Sequence, residues 1–77
     1  MTAHQAAEFY GEKFDDLHAD LSEAIADGDI RSAQEARRAL LRCRAVAASK
    51  GVDVEYDGGW MVPDRASIRA ACERMMS

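Results

Sequence analysis

Two apolar stripes with helical spacing, separated by three residues that end a helix, limit how the first two thirds of this chain can fold. The first stripe alternates steps of four and three residues, at Ala3, Ala7, Tyr10, Phe14, Leu17, Leu21 and Ala24. The second has the same spacing, at Ala33, Ala36, Leu40, Cys43 and Ala47. Such a stripe lies along one side of a helix and faces one neighbour. The sequence therefore predicts an antiparallel helical hairpin.

The helix ends are marked by residues that satisfy unpaired backbone groups. Thr2 and Gln5 have the spacing of a capping box, which predicts that a helix begins at residue 3. Gly28 suits the left-handed position after a helix, and Asp29 suits the cap of the next one. The predicted bounds are about 3–27 for the first helix and 30–50 for the second.

The next segment has the period of two residues that is typical of a strand. Val52, Val54 and Tyr56 alternate with acidic residues, the run 57–59 (Asp-Gly-Gly) favours a turn, and a second apolar run begins at Trp60. This pattern predicts a two-stranded β-hairpin over about 52–62.

A third helix is predicted over about 65–75. Asp64 is its expected N-cap, and the inward positions are Ile68, Ala71 or Cys72, and Met75. The predicted fold is one domain, 1–77, of the α+β class and mostly α, in which an antiparallel helical hairpin precedes a two-stranded β-hairpin and a short C-terminal helix.

Charge limits the kind of partner. The 77 residues include 14 acidic and 10 basic ones, for a formal net charge of -4. Proteins that bind nucleic acid directly need a surplus of Lys and Arg on one face, so the charge argues against nucleic acid and favours a protein complex with a basic surface. No run of 18 apolar residues suggests a membrane span.

The residues that could support chemistry are few. His4, His18, Cys43 and Cys72 have no pair at metal-site spacing, and no nucleophile elbow, phosphate loop or HExxH motif occurs. Both cysteines fall on predicted packing faces and outside any CxxC pair, which favours free thiols in a reducing, cytoplasmic setting, with a disulfide between two chains as the alternative. We therefore expect no enzymatic activity, no cofactor and no metal.

The first helix has seven acidic residues and a single basic one, Lys13. The arginines of the second helix could neutralise these carboxylates across the hairpin, but the predicted register gives few direct pairs. Two interpretations stay open, a merely solvated face and a surface that binds a partner. The predicted partner-binding residues are Glu8, Glu12, Asp15, Asp16 and Glu23, together with Phe9, an aromatic off the stripe.

The second helix has more apolar residues than one neighbouring helix can cover. Leu41, Ala45 and Ala48 lie off its stripe, and either the C-terminal third of the chain or a second copy must pack there. With Tyr56 and Trp60 they form the predicted dimer or packing surface, and we expect a homodimer.

Two resemblances to known families add expectations. The helix from about residue 33, the run 54–59 (Val-Glu-Tyr-Asp-Gly-Gly) and the run 67–71 (Ser-Ile-Arg-Ala-Ala) resemble the helix, hairpin, helix order of gpW-type head-tail joining proteins of tailed phages. That resemblance implies a role in virion assembly.

The whole chain resembles in character the anti-CRISPR proteins of phages and mobile elements, being short, acidic and rich in Ala and Arg. That resemblance implies a stoichiometric inhibitor in the cytoplasm of a bacterial host. Its acidic face would lie on the basic residues with which a defence complex holds nucleic acid.

Overall fold

The first helix begins at the predicted capping box. The structure, a computed structural model, describes residues 2–52 and 61–76. Helix α1 spans Ala3–Ala26. The backbone amide of Gln5 donates to Thr2 Oγ1 at 3.2 Å, and the backbone amide of Thr2 donates to Gln5 Oε1 at 3.0 Å. Because both side chains satisfy donors that the helix leaves free, the chain enters α1 at a defined residue.

The turn after α1 depends on a glycine in the left-handed conformation. Gly28 has φ +70°, its amide donates to the carbonyl oxygen of Ile25 at 2.9 Å, and the Asp29 amide reaches that of Ala24 at 3.0 Å. The Asp29 carboxylate then accepts from the Ser32 amide (3.1 Å) and hydroxyl (2.8 Å), and so caps α2, Ile30–Ser49. The chain reverses within three residues, and α2 packs antiparallel against α1.

The core lies where the three helices meet. Its fully buried large side chains are Phe14 of α1, Leu40 of α2, and Ile68 and Cys72 of α3, which spans Arg65–Met76. Burying a Phe, Leu or Ile side chain stabilises a fold by about 1.5–3 kcal/mol. The core therefore joins the C-terminal helix to the hairpin.

A second, smaller cluster closes the other end of the hairpin. Ala6, Ala47 and Val52 are buried there against Tyr10. The apolar stripe predicted Ala7 in this place, but Ala7 is exposed, since Val52 packs over Ala6 instead. The Val52 amide donates to the carbonyl oxygen of Ala47 at 3.0 Å, which ends α2 as a C-cap.

Helix α3 runs back along α2 toward the turn at Gly28. Its N-cap is Asp64, as predicted, whose carboxylate accepts from the Ser67 amide at 2.7 Å. At its other end, the side chain of Met76 lies against Gly28. The prediction of Met75 as an inward residue is wrong, because its side chain is 60% exposed.

The predicted fold class is wrong: the described residues form three helices and no strand. Most of the expected β-hairpin, residues 53–60, lies outside them. At its two ends the backbone is bonded to helices rather than to a ladder. The Val52 amide caps α2, His18 Nε2 donates to the carbonyl oxygen of Met61 at 3.0 Å, and Arg37 Nε donates to that of Pro63 at 3.0 Å. A period of two residues cannot reveal these competing bonds.

Candidate functional site

The carboxylates of α1 form a continuous exposed surface. Glu8, Glu12, Asp15 and Glu23 follow one another at steps of four, three and eight residues, which places them on one face of the helix. Asp16 lies beside them, and all five are exposed. We call these five residues the acidic strip. It lies on the opposite side of α1 from the buried Phe14 and Leu21.

Across the described part of the chain, no arginine forms an ion pair with the acidic strip. Its one ion-pair contact joins Glu8 Oε1 to His4 Nε2 at 3.3 Å, between side chains that are 67% and 84% exposed. This contact is an ion pair only when the His4 ring is protonated. All five carboxylates are exposed, so the negative charge of the strip points to solvent.

Phe9 lies beside the strip on a neighbouring face of α1, with 49% of its surface exposed. Its ring meets Tyr10 edge to face, with centroids 5.0 Å apart and planes at 86°, and Lys13 Nζ lies 5.8 Å from its centroid. Both contacts favour one ring orientation. Phe9 is therefore an exposed aromatic group held in place, as contact residues often are.

A groove of about 540 Å³ lies between α1 and α2, with Phe9 at its edge. Its lining is mainly apolar with two cationic side chains, and consists of Phe9, Tyr10, Lys13, Leu17, Ala39, Arg42, Cys43 and Val46. Burial raises the pKa of the Cys43 thiol, against a smaller opposite effect of Lys13. The thiol donates to the carbonyl oxygen of Tyr10 at 3.8 Å. A thiol that stays protonated at neutral pH is a poor nucleophile.

Three of the predicted dimer or packing residues lie on one face of α2, at steps of four and three residues. Leu41 is half-buried, whereas Ala45 and Ala48 are exposed. Tyr56 and Trp60 lie outside the described residues. The homodimer therefore stays a prediction.

A cavity of about 260 Å³ between α2 and α3 is a surface that the sequence did not reveal. It is lined by one amide and four guanidinium groups, from Gln34, Arg31, Arg37, Arg38 and Arg65. We call it the arginine cavity. The spacing of Arg31, Gln34, Arg37 and Arg38 places them on adjoining faces of α2. This spacing is the feature of the sequence from which a positive surface on α2 could have been predicted. Arg65 joins them only through the packing of α3.

Two carboxylates stand near these arginines and are already used as helix caps. The hydrogen bond from the Ser32 amide holds the pKa of Asp29 below its ordinary value, with a further contribution from Arg31. The hydrogen bond from the backbone amide of Ser67 likewise holds the pKa of Asp64 below its ordinary value, and the positive charge of Arg37 lowers it further. Both carboxylates therefore stay charged at neutral pH while serving α2 and α3.

No group of three or more His, Cys, Asp and Glu side chains in the described residues could hold a metal ion. His18 is hydrogen-bonded to the Met61 backbone, and Cys43 and Cys72 are buried free thiols. None of the helices in those residues has both the length and the apolar character needed to cross a membrane.

Comparison with protein families, curated proteins and solved structures found no match to this chain.

Proposed function

We propose that the chain is a non-enzymatic binding protein that attaches through its acidic strip to a basic surface of a partner protein. The observation that supports this proposal is the absence of arginine partners for the strip among the described residues, although ten basic residues occur in the chain. Carboxylates that are not neutralised internally are available to a partner. They also repel one another at positions four apart, which a cationic surface would relieve.

The strip would act mainly on the rate of encounter. A single exposed ion pair contributes only about 0–1 kcal/mol, because water and salt screen it. Several like charges on one face produce a field that steers an oppositely charged partner and speeds association. Phe9 supplies the apolar contact that charge alone lacks, since a partly exposed aromatic beside a charged rim is typical of residues that dominate binding.

The partner that fits best is a protein surface that otherwise holds nucleic acid. From Glu8 to Glu23 the strip extends about 22 Å along α1, at about 1.5 Å per residue. A row of negative groups of that length resembles the charge pattern of a nucleic-acid backbone, which basic grooves are built to hold. This agrees with the function implied by the resemblance to anti-CRISPR proteins, inhibition of a bacterial defence complex by occupation of its nucleic-acid groove.

The test is competition with target DNA. Purified chain is added to CRISPR effector complexes, and DNA binding is followed by gel shift at several salt concentrations. We expect inhibition of at least one complex, weaker at higher salt, and lost in Asp15→Lys. Glu35→Lys is the matched control, since it makes the same change of charge at an exposed position on α2 and should inhibit normally.

Two results would contradict the proposal. Equal loss of inhibition in Asp15→Lys and Glu35→Lys would mean that net charge, and not the strip, matters. Ring-like oligomers in light scattering, with no effect on any effector complex, would instead favour the head-tail joining function.

A further inference from the structure

The arginine cavity concentrates positive charge in a protein that is acidic overall. Four of its five lining side chains are guanidinium groups, and none is a carboxylate. Like charges held together repel one another, and the repulsion is not relieved by any ion pair to these four arginines within the described residues. A cavity of this composition favours an anionic ligand.

Two carboxylates near these arginines are not free to neutralise them. Asp29 lies near Arg31, and Asp64 lies near Arg37, but neither lines the cavity. The two carboxylates cannot turn into the cavity without leaving Ser32 and Ser67, whose backbone amides they bind as helix caps. The negative charge that the cavity favours must therefore come from a ligand.

Two of the cavity's arginines lie where a helix dipole disfavours a cation. Arg31 is the second residue of α2 and Arg65 is the first residue of α3. The positive end of the helix dipole opposes a cation there. The N-caps Asp29 and Asp64 offset part of this effect, and an anion bound to both guanidinium groups would offset more of it.

Two of the lining side chains are held in place before any ligand binds. Arg37 Nε donates to the carbonyl oxygen of Pro63 at 3.0 Å, and Gln34 Nε2 donates to that of Arg65 at 3.1 Å. Both residues are half-buried. Arg31 and Arg38 are exposed and can close over a ligand. Part of the site is thus pre-organised, which lowers the entropic cost of binding.

The dimensions suit one phosphate group. The volume of the arginine cavity is about 260 Å³. That volume accommodates a phosphate with a small substituent. Guanidinium groups match phosphate oxygens with paired hydrogen bonds, which a single point charge cannot form.

We propose that the arginine cavity binds a phosphate dianion, either as a small phosphorylated molecule or as the terminal phosphate of a nucleic-acid strand. The site lies on α2 and α3, away from the acidic strip of α1, so it is independent of the proposed function. Loss of one should leave the other unchanged.

The test is an NMR titration of the full chain with inorganic phosphate and with adenosine monophosphate. We expect saturable shifts at the Arg31, Gln34 and Arg38 signals. In Arg38→Gln the Kd should rise about tenfold, as expected for the loss of a charge-assisted hydrogen bond. Arg42→Gln is the matched control, because it removes an exposed arginine of α2 outside the cavity, and its Kd should stay within about twofold.

The source of the phosphate is resolved with a short single-stranded DNA, with and without a 5′-phosphate. Tighter binding of the phosphorylated strand than of adenosine monophosphate assigns the site to strand ends, and the reverse order assigns it to small molecules. The inference is overturned by shifts with inorganic phosphate and adenosine monophosphate that do not saturate, or by equal weakening of phosphate binding in Arg38→Gln and Arg42→Gln.

Discussion

The acidic strip and the arginine cavity are opposite in charge and also in how the chain builds them. The strip comes from one helix, and it exists wherever α1 is helical. The cavity needs α3 to pack beside the first turns of α2, so that Arg65 joins residues that lie about thirty positions earlier. A surface on one helix follows from spacing alone, whereas a surface shared by two helices follows from packing.

The two surfaces also differ in their energetic cost. The carboxylates of the strip lie in water, where repulsion between neighbours is weak. Arg31 and Arg65 of the cavity lie in the first turns of α2 and α3, where the helix dipoles oppose a cation. We therefore expect the cavity to depend on the stability of the fold far more than the strip does.

The largest expected effect comes from weakening the attachment of α3. Ile68→Ala removes a side chain that is 1% exposed, and we expect it to lower the free energy of unfolding by about 2–5 kcal/mol. Urea unfolding followed by circular dichroism measures this. Met75→Ala is the control on the same helix and should change stability by less than about 0.5 kcal/mol, because Met75 is 60% exposed. Equal effects of the two changes would show that α3 does not pack as described.

A smaller effect is expected at the turn that sets α2 beside α1. Gly28→Ala places a side chain at φ +70°, which costs about 1–2 kcal/mol. The new Cβ would also lie 2.8 Å from Met76 Cγ, but that side chain is 70% exposed and can move.

Gly11→Ala is the control for Gly28→Ala, because the same substitution at a glycine inside a helix should raise the free energy of unfolding. Gly11 lies within α1 with nothing within 4 Å of an added Cβ, so alanine there should stabilise by about 0.5–1 kcal/mol. The same unfolding measurement checks both variants. Stabilisation by Gly28→Ala would contradict the left-handed turn.

The helix caps beside the arginine cavity predict a pH dependence. Because the pKa values of Asp29 and Asp64 are lower in the folded chain than their ordinary values, both carboxylates stabilise the fold above about pH 4. That contribution is lost as the pH falls through the lowered pKa values. A variant with Asp29→Asn and Asp64→Asn should show a shallower decline of Tm with acid. An unchanged decline would mean that other carboxylates cause it.

Local signals predicted much of this fold, because they depend on residues close together in the chain. Thr2, Gln5, Gly28, Asp29 and Asp64 cap or end helices through bonds to residues no more than five positions away. From Tyr10 onward the stripes likewise identified buried or half-buried positions of α1 and α2, whereas Ala6 takes the place expected for Ala7.

The errors came where other contacts compete with a local pattern. The alternation that begins at Val52 predicted a strand, but the Val52 amide caps α2 through Ala47, and bonds from the distant His18 and Arg37 hold the other end of that segment against helices. The arginine cavity was missed for the same reason. Among the candidate sites, only the exposure of the strip followed directly from the sequence.

The central physical claim is that the strip is not neutralised by the chain's own arginines, and the most direct measurement is the stability of a variant with less charge. Glu12→Gln combined with Asp16→Asn removes two carboxylates four residues apart in α1. If they only repel each other, urea unfolding will show a free energy of unfolding that is unchanged or about 0.2–0.5 kcal/mol higher. A decrease of about 1 kcal/mol or more would contradict the account, because it would mean that these carboxylates are paired within the folded chain.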